Sequence, residues 1–328
     1  MRVKSKADAK IMLLGEYSVL KGGRALATTI SKTLSVTLEK NPNNRHLIAS
    51  NAWKQDFIGQ NFDEGDSFVN DFCQWLSGRL NIPNVSLTIE SDIAIEDGIG
   101  SSSALCLSIL ASLNHLIDAQ LNLESIMSLA RQFQLHHQGF ASGYDIATQS
   151  HGGLICCRCL DDGFFIEQIP QSRLAKAISI FTGGEGAPTG IIGGSTRQWL
   201  YQTSGWERLE HLSESAIDAL LLYAQGQSSS ITFAIPSLLS HLEFFGDSPS
   251  FPHKVFHGIK QVPGFGQTWI LKPTGAGGED AMLAFHEGDL PEQVIDHMSQ
   301  LGWHKREDLT FSSEGLRSFV SSSEKDSL

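Results

Sequence analysis

The sequence predicts an α+β protein built as two domains. Its 328 residues exceed what one ordinary core organises. The first half runs short β-rich segments into helices, and the second half is helix-rich around two strands that flank a glycine cluster. With 41% apolar and 18% charged residues, the composition is globular and can fill both cores.

Taken in order, "KIMLLGEYSVLKGG" (Lys10 to Gly23) opens on an apolar strand that stops at Gly15-Glu16-Tyr17, turns apolar again at Val19-Leu20 and closes on paired glycines. "RALATTI" and "LSVTLEK" read as two short strands. "NVSLTIES" reads as a third, its Val85, Leu87 and Ile89 lining one face. "SDIAIEDGIG" leads into a largely buried helix over "SSSALCLSILASLNHLID". A second helix, "LESIMSLARQFQLHH", starts near Asn122 and ends at Gly139. "GGLICCRCL" and "GFFIEQI" form a hairpin around Asp161-Asp162-Gly163. Pro170 interrupts the pattern and sets a boundary near 170–175, dividing residues 1–172 from 173–328. Beyond it, "ERLEHLSESAIDALLLYAQG", "SITFAIPSLLSHLEFFG" and "PEQVIDHMSQLGW" read as helices, "TWILKP" and "AMLAFH" as strands, and "SSSEKDSL" as a frayed tail.

The formal net charge of −12 argues against nucleic acid or an anionic membrane as partner, yet allows a phosphate ligand held by backbone N–H groups and a metal ion. No signal-peptide pattern or membrane-length apolar run is present, so a cytoplasmic monomer or homodimer is the expectation. Cys73, Cys106, Cys156, Cys157 and Cys159 are odd in number and so make no disulfide framework. Adjacent strand positions face opposite ways and cannot close on one zinc ion, which leaves buried thiols as the expectation.

Three later segments can carry chemistry. In "EDGIGSSSALCLSIL" two glycines precede three serines at a helix start, where unpaired N–H groups and a partial positive charge suit an anion. An ordinary serine cap explains the segment alone, and the Walker pattern is absent. In "QGFASGYDIATQSHGG", Asp145 lies in a glycine-containing turn, where its carboxylate can orient a substrate hydroxyl or simply cap a helix. In "LKPTGAGGEDAMLAF", strand, Gly-Ala-Gly-Gly, strand suits either close backbone approach to a ligand or a tight hairpin.

In their order and spacing, the four segments resemble the GHMP kinase superfamily, over about Lys4 to Phe285. The resemblance implies a two-domain α+β fold, with an N-terminal domain like ribosomal protein S5 domain 2 and a ferredoxin-like C-terminal domain. It implies ATP and Mg²⁺, with both substrates in the cleft between the domains. By the same resemblance Lys10 and Asp145 are catalytic. Gly98, Gly100, Ser101, Ser102 and Ser103 wrap the ATP phosphates, with Ser102 as the metal-ligating hydroxyl. Gly275, Gly277 and Gly278 flank the site from the other domain, and Glu16, Tyr17, Ser142 and Gly143 meet the acceptor.

Within the superfamily the mevalonate-pathway branch fits best. Gly15-Glu16-Tyr17, "GYDIATQSHGG" and Asp280 look like the phosphomevalonate kinases, which implies transfer from ATP to 5-phosphomevalonate to give 5-diphosphomevalonate and ADP. Mevalonate kinase is the alternative, and a non-catalytic nucleotide or metabolite binder a further one. Three departures stand out: Gln134 where mevalonate kinases carry a Mg²⁺-binding glutamate, Glu279 in place of a family glycine, and a lengthened loop "PTGIIGGST" after Thr182.

Overall fold

The computed structural model describes residues 1–52, 56–65, 67–94, 97–183, 189–275, 277 and 281–321, the side chains of residues 189–192 excepted. The first part of the chain contributes β1 (Arg2–Leu14), β2 (Ala25–Lys40), β3 (His46–Ser50), β4 (Phe57–Gly59), α1 (Phe68–Ser77), β5 (Val85–Ser91), α2 (Ser101–Leu116), α3 (Leu123–Gln138), α4 (Tyr144–His151), β6 (Leu154–Leu160) and β7 (Gly163–Ile169). Its strands form one sheet in the order β1-β2-β5-β3-β4, with β6 pairing a different stretch of β2 and carrying β7. The length of β2 makes this possible: Leu34–Lys40 pairs with β5, and Ala25–Thr28 pairs with β6.

The second part contributes β8 (Ile178–Thr182), α5 (Thr189–Gln202), α6 (Trp206–Ala224), α7 (Ile235–Phe245), α8 (His253–Phe256), β9 (Trp269–Pro273), β10 (Ala281–His286), α9 (Glu292–Gln300) and β11 (His304–Lys305). Its antiparallel sheet has the order β11-β8-β10-β9. Strand, helices, two strands, helix, strand, with the last strand beside the first, is a ferredoxin-like arrangement. The chain then returns to the first sheet, where β12 (Phe311–Ser312) pairs with β2 and β13 (Arg317–Ser321) with β1. The division expected at 172/173 falls between the end of β7 at Ile169 and the start of β8 at Ile178, and we propose it as the domain boundary, with β12 and β13 moved from the expected 173–328 unit to the first domain.

Burial explains where the site lies. Along β1 buried residues alternate with exposed or half-buried ones up to Lys6, and from Ala7 on every residue is buried because the strand runs beneath α2 and α4. Such full burial contributes about 1.5–3 kcal/mol for each large apolar side chain, Ile11, Leu13 and Leu14 among them. It also means that any charge on this stretch must find partners inside the protein.

Four expectations are corrected. The two short strands expected after residue 23 are the single strand β2. It bulges at Ser31-Lys32, since Asp8 pairs with Thr33 while Ala9 already pairs with Ile30. Asp145 lies in the first turn of helix α4 rather than in a turn leading to a strand, because Gly143 starts a helix in a left-handed conformation. Much of the expected loop after Thr182 is helix α5. Ser321, expected at the head of a frayed tail, is paired with Arg2 in β13, while 322–328 lie outside the described residues. All five cysteines are buried free thiols, and burial pushes Cys73 up to about 12.

Candidate active site

Lys10 joins two of the segments directly. It is 7% exposed; its backbone N–H donates to the Ile99 carbonyl at 2.8 Å and its Nζ to the Gly98 carbonyl at 3.1 Å. The same ammonium stands 5.3 Å from the centre of the Tyr144 ring, within cation–π range. Gly100 starts α2 at φ +93°, and a Cβ there would come within 2.8 Å of Lys10 Cγ. Both backbone conformation and space therefore require glycine. Gln149 of α4 closes the other side, its Nε2 donating to the carbonyls of Gly100 (3.0 Å) and Asp8 (2.8 Å).

The start of α2 carries no side-chain cap, which leaves its first-turn N–H groups suited to an anion. The three serines differ. Ser103 is buried and donates to the Gly100 carbonyl at 3.2 Å, Ser101 is half-buried, and Ser102 is exposed. Ser102 is thus the hydroxyl most open to a ligand.

Asp145 follows Tyr144 in the first turn of α4, after a loop holding half-buried Ser142 and the helix-starting Gly143. Its Oδ2 accepts a hydrogen bond from Gln134 Nε2 of α3 at 2.7 Å. Burial raises the Tyr144 hydroxyl pKa, with the Lys10 cation opposing it. The second sheet arrives here too: a Cβ on Gly275 would stand 3.9 Å from the Tyr144 hydroxyl. Gly277 packs over Ser250; Gly278, Glu279 and Asp280 lie outside the described residues.

Glu16 and Tyr17 take a different direction. Gly15 (φ +107°) makes the turn, because a Cβ there would meet the Arg24 carbonyl at 2.4 Å. The buried Glu16 then pairs with Lys272 of β9, Oε1 to Nζ 2.5 Å, and Tyr17 (φ 59°) packs its ring 5.9 Å from that of Phe245. Thr274 adds a further tie to β1 by donating to the Met12 carbonyl at 2.5 Å. The structure thus gathers Lys10, Gly98, Gly100, Tyr144-Asp145 and Gly275, while Glu16 and Tyr17 meet residues of the second half.

Sequence reasoning missed Tyr144, Gln149, Lys272 and Arg306. Arg306 reaches Asp97 (3.3 Å) and Thr182 (2.7 Å), tying the glycine turn to the second sheet. A buried Glu16 required a cation somewhere, but only the fold selects Lys272. Beside the Gly139–Ala141 stretch opens a cleft of about 870 Å³ lined by Lys21, Arg131, Arg197, Tyr201, Trp206 and Asp161. Among the described residues no group of three or more His, Cys, Asp or Glu gathers to hold a metal, and no helix is long and apolar enough to cross a membrane.

Residues 67–153 match the model of the GHMP kinases N terminal domain. A solved Streptococcus pneumoniae phosphomevalonate kinase, in complex with phosphomevalonate and AMPPNP, superposes with a TM-score of 0.71 at 18% identity, covering 92% of this chain and 98% of that one. This chain has the GHMP kinase fold. Within that fold it is similar in sequence to mevalonate-pathway kinases. A mevalonate kinase of Archaeoglobus fulgidus is 33% identical over 150 residues, which are 45% of this chain and 50% of the relative. A phosphomevalonate kinase of Saccharolobus solfataricus is 27% identical over 201 residues, 58% of this chain and 60% of the relative. The matches thus span about half to three-fifths of those relatives, and both kinds of kinase are among them.

Proposed function

We propose that this protein is an ATP- and Mg²⁺-dependent small-molecule kinase that transfers the γ-phosphoryl group to a mevalonate-derived acid, with 5-phosphomevalonate as the acceptor. The observation that carries the reading is the convergence of four separate segments on the Lys10–Tyr144 contact, with the uncapped start of α2 alongside. Phosphoryl transfer asks a protein mainly for positioning and charge stabilisation, and this arrangement offers both.

In the proposed reaction the Gly98–Ser103 turn and the first-turn N–H groups of α2 cradle the nucleotide phosphates. Lys10, held by the Gly98 carbonyl, offsets negative charge developing on the moving phosphoryl group. Asp145 orients the acceptor end. The exposed Ser102 hydroxyl would serve as the protein ligand of a Mg²⁺ ion, whose contribution when bound would be to offset phosphate charge.

Phosphomevalonate is preferred because an acceptor phosphate is already ionised near neutral pH and needs no general base. The Gln134 amide holds Asp145 by Oδ2, which suits this carboxylate to orienting the acceptor. Mevalonate kinase is the second reading, favoured by the 33% identity to the Archaeoglobus fulgidus enzyme. A coupled ADP-release assay with Mg·ATP, run in parallel on mevalonate and 5-phosphomevalonate, decides between them. Turnover of 5-phosphomevalonate alone is expected. Turnover of mevalonate alone reverses the assignment, and silence with both overturns the kinase reading for this acceptor class.

A further inference from the structure

Gln134 is only 7% exposed, and its Nε2 donates to Asp145 Oδ2 at 2.7 Å. A buried amide is costly unless its hydrogen-bonding groups are met. The partner it has found is the one carboxylate that the phosphoryl-transfer reading puts to use. Among the described residues, the other titratable groups that feel the Asp145 charge are its neighbour Tyr144, Cys106 of α2 and Cys157 of β6, with Lys10 of β1 across the Tyr144 ring. The Gln134 amide, by contrast, is a neutral donor in direct hydrogen-bond contact with the carboxylate.

We infer that Gln134 is a positioning residue that clamps Asp145 by one carboxylate oxygen, leaves Oδ1 for the acceptor, and does so without a metal ion. The inference rests on the kinase reading above and deepens it. A carboxylate at position 134 would stand within hydrogen-bond distance of Asp145, and two carboxylates so close do not both ionise unless a cation or a shared proton lies between them. The neutral amide removes that demand. Its N–H fixes the rotamer of Asp145 at any pH at which the carboxylate is ionised. The divalent cation that the reaction requires is then the one entering with the nucleotide.

The test compares the full chain with Gln134→Glu and with Gln134→Met, which keeps the side-chain length and lacks the donor. Melting is followed in EDTA from about pH 5 to about pH 8, with and without millimolar Mg²⁺ or Mn²⁺. In Gln134→Glu the paired acids have a raised folded-state pKa. Stability is therefore retained at low pH and lost as pH rises through that value. We expect a melting temperature near wild type at about pH 5, a fall of several degrees by about pH 8, and recovery with divalent cation. Wild type and Gln134→Met should show neither dependence. With the acceptor that wild type turns over, Gln134→Met should lower kcat about tenfold with the KM for ATP unchanged.

Melting curves for Gln134→Glu that parallel wild type at every pH, with and without metal, would overturn the inference, as would wild-type kcat in Gln134→Met. If wild type turns over no acceptor, the kinase reading falls. The melting comparison then still decides whether the Gln134–Asp145 clamp exists.

Discussion

Lys10 and Lys272 are both buried, at 7% and 2% exposure, the first opening the Lys10–Gly23 segment and the second reaching into it from β9, yet their surroundings differ. Lys272 spends all three ammonium hydrogens on protein acceptors: Glu16 Oε1 at 2.5 Å, the Pro273 carbonyl at 2.7 Å and the Leu13 carbonyl at 3.1 Å. It is a bolt between β9 and the end of β1. Lys10 reaches the Gly98 carbonyl and the Tyr144 ring, beside an uncapped helix start. A buried charge is therefore read from its surroundings: an ammonium bound to a carboxylate and two carbonyls across β1 and β9 holds structure, while one set beside a helix start is placed to meet an anion.

The comparison can be broken in three ways, in decreasing order of effect. Lys272→Met leaves Glu16 buried without its cation and should cost about 3–5 kcal/mol of unfolding free energy. Chemical denaturation measures this loss. The double variant Glu16→Gln/Lys272→Met should recover much of it, and simple additivity of the two single losses would mean that the pair is not coupled. Lys10→Met should do the reverse, lowering kcat by about 10²–10³ while melting within a few degrees of wild type. A large loss of stability with intact turnover would make Lys10 another bolt.

The third way uses His241, whose Nε2 stands 4.0 Å from Glu16 Oε2 across a cavity of about 20 Å³. Burial, aided by the Lys272 charge, lowers its pKa to about 3. The imidazole is neutral in the fold but takes up a proton in the unfolded chain below its ordinary value of 6.5, so stability falls as pH drops through the window from 6.5 to about 3. The slope from this group approaches about 1.4 kcal/mol per pH unit within that window. His241→Leu should flatten the acid limb of a stability–pH curve by about that slope, and an unchanged limb would show that other groups govern it.

Much of this was legible in the sequence because it depends on local chemistry. Asn122 and Gly139 bounded α3 as expected, since an Asn side chain caps the first turn and glycine adopts the left-handed end. The hairpin of β6 and β7 and the strands β9 and β10 were equally readable. The bulge at Ser31-Lys32 was not: a polar pair inside a strand looks like a break until β1 is laid beside it. Nor was α4, because a helix of eight residues started by glycine and running through "YDIATQSH" has a weak apolar stripe.

The four segments, their order and the residue types at Lys10, Gly100 and Asp145 were determined by the sequence itself. Glycine at a positive φ and an acid in a first helical turn are properties of the local chain. Which charges serve the site and which hold the halves together was decided only by the tertiary structure. Lys272 lies 256 residues from Glu16, and Gln134 meets Asp145 only because α3 packs against α4. Such pairings are set by how the elements pack, and the local sequence around one partner does not name the other.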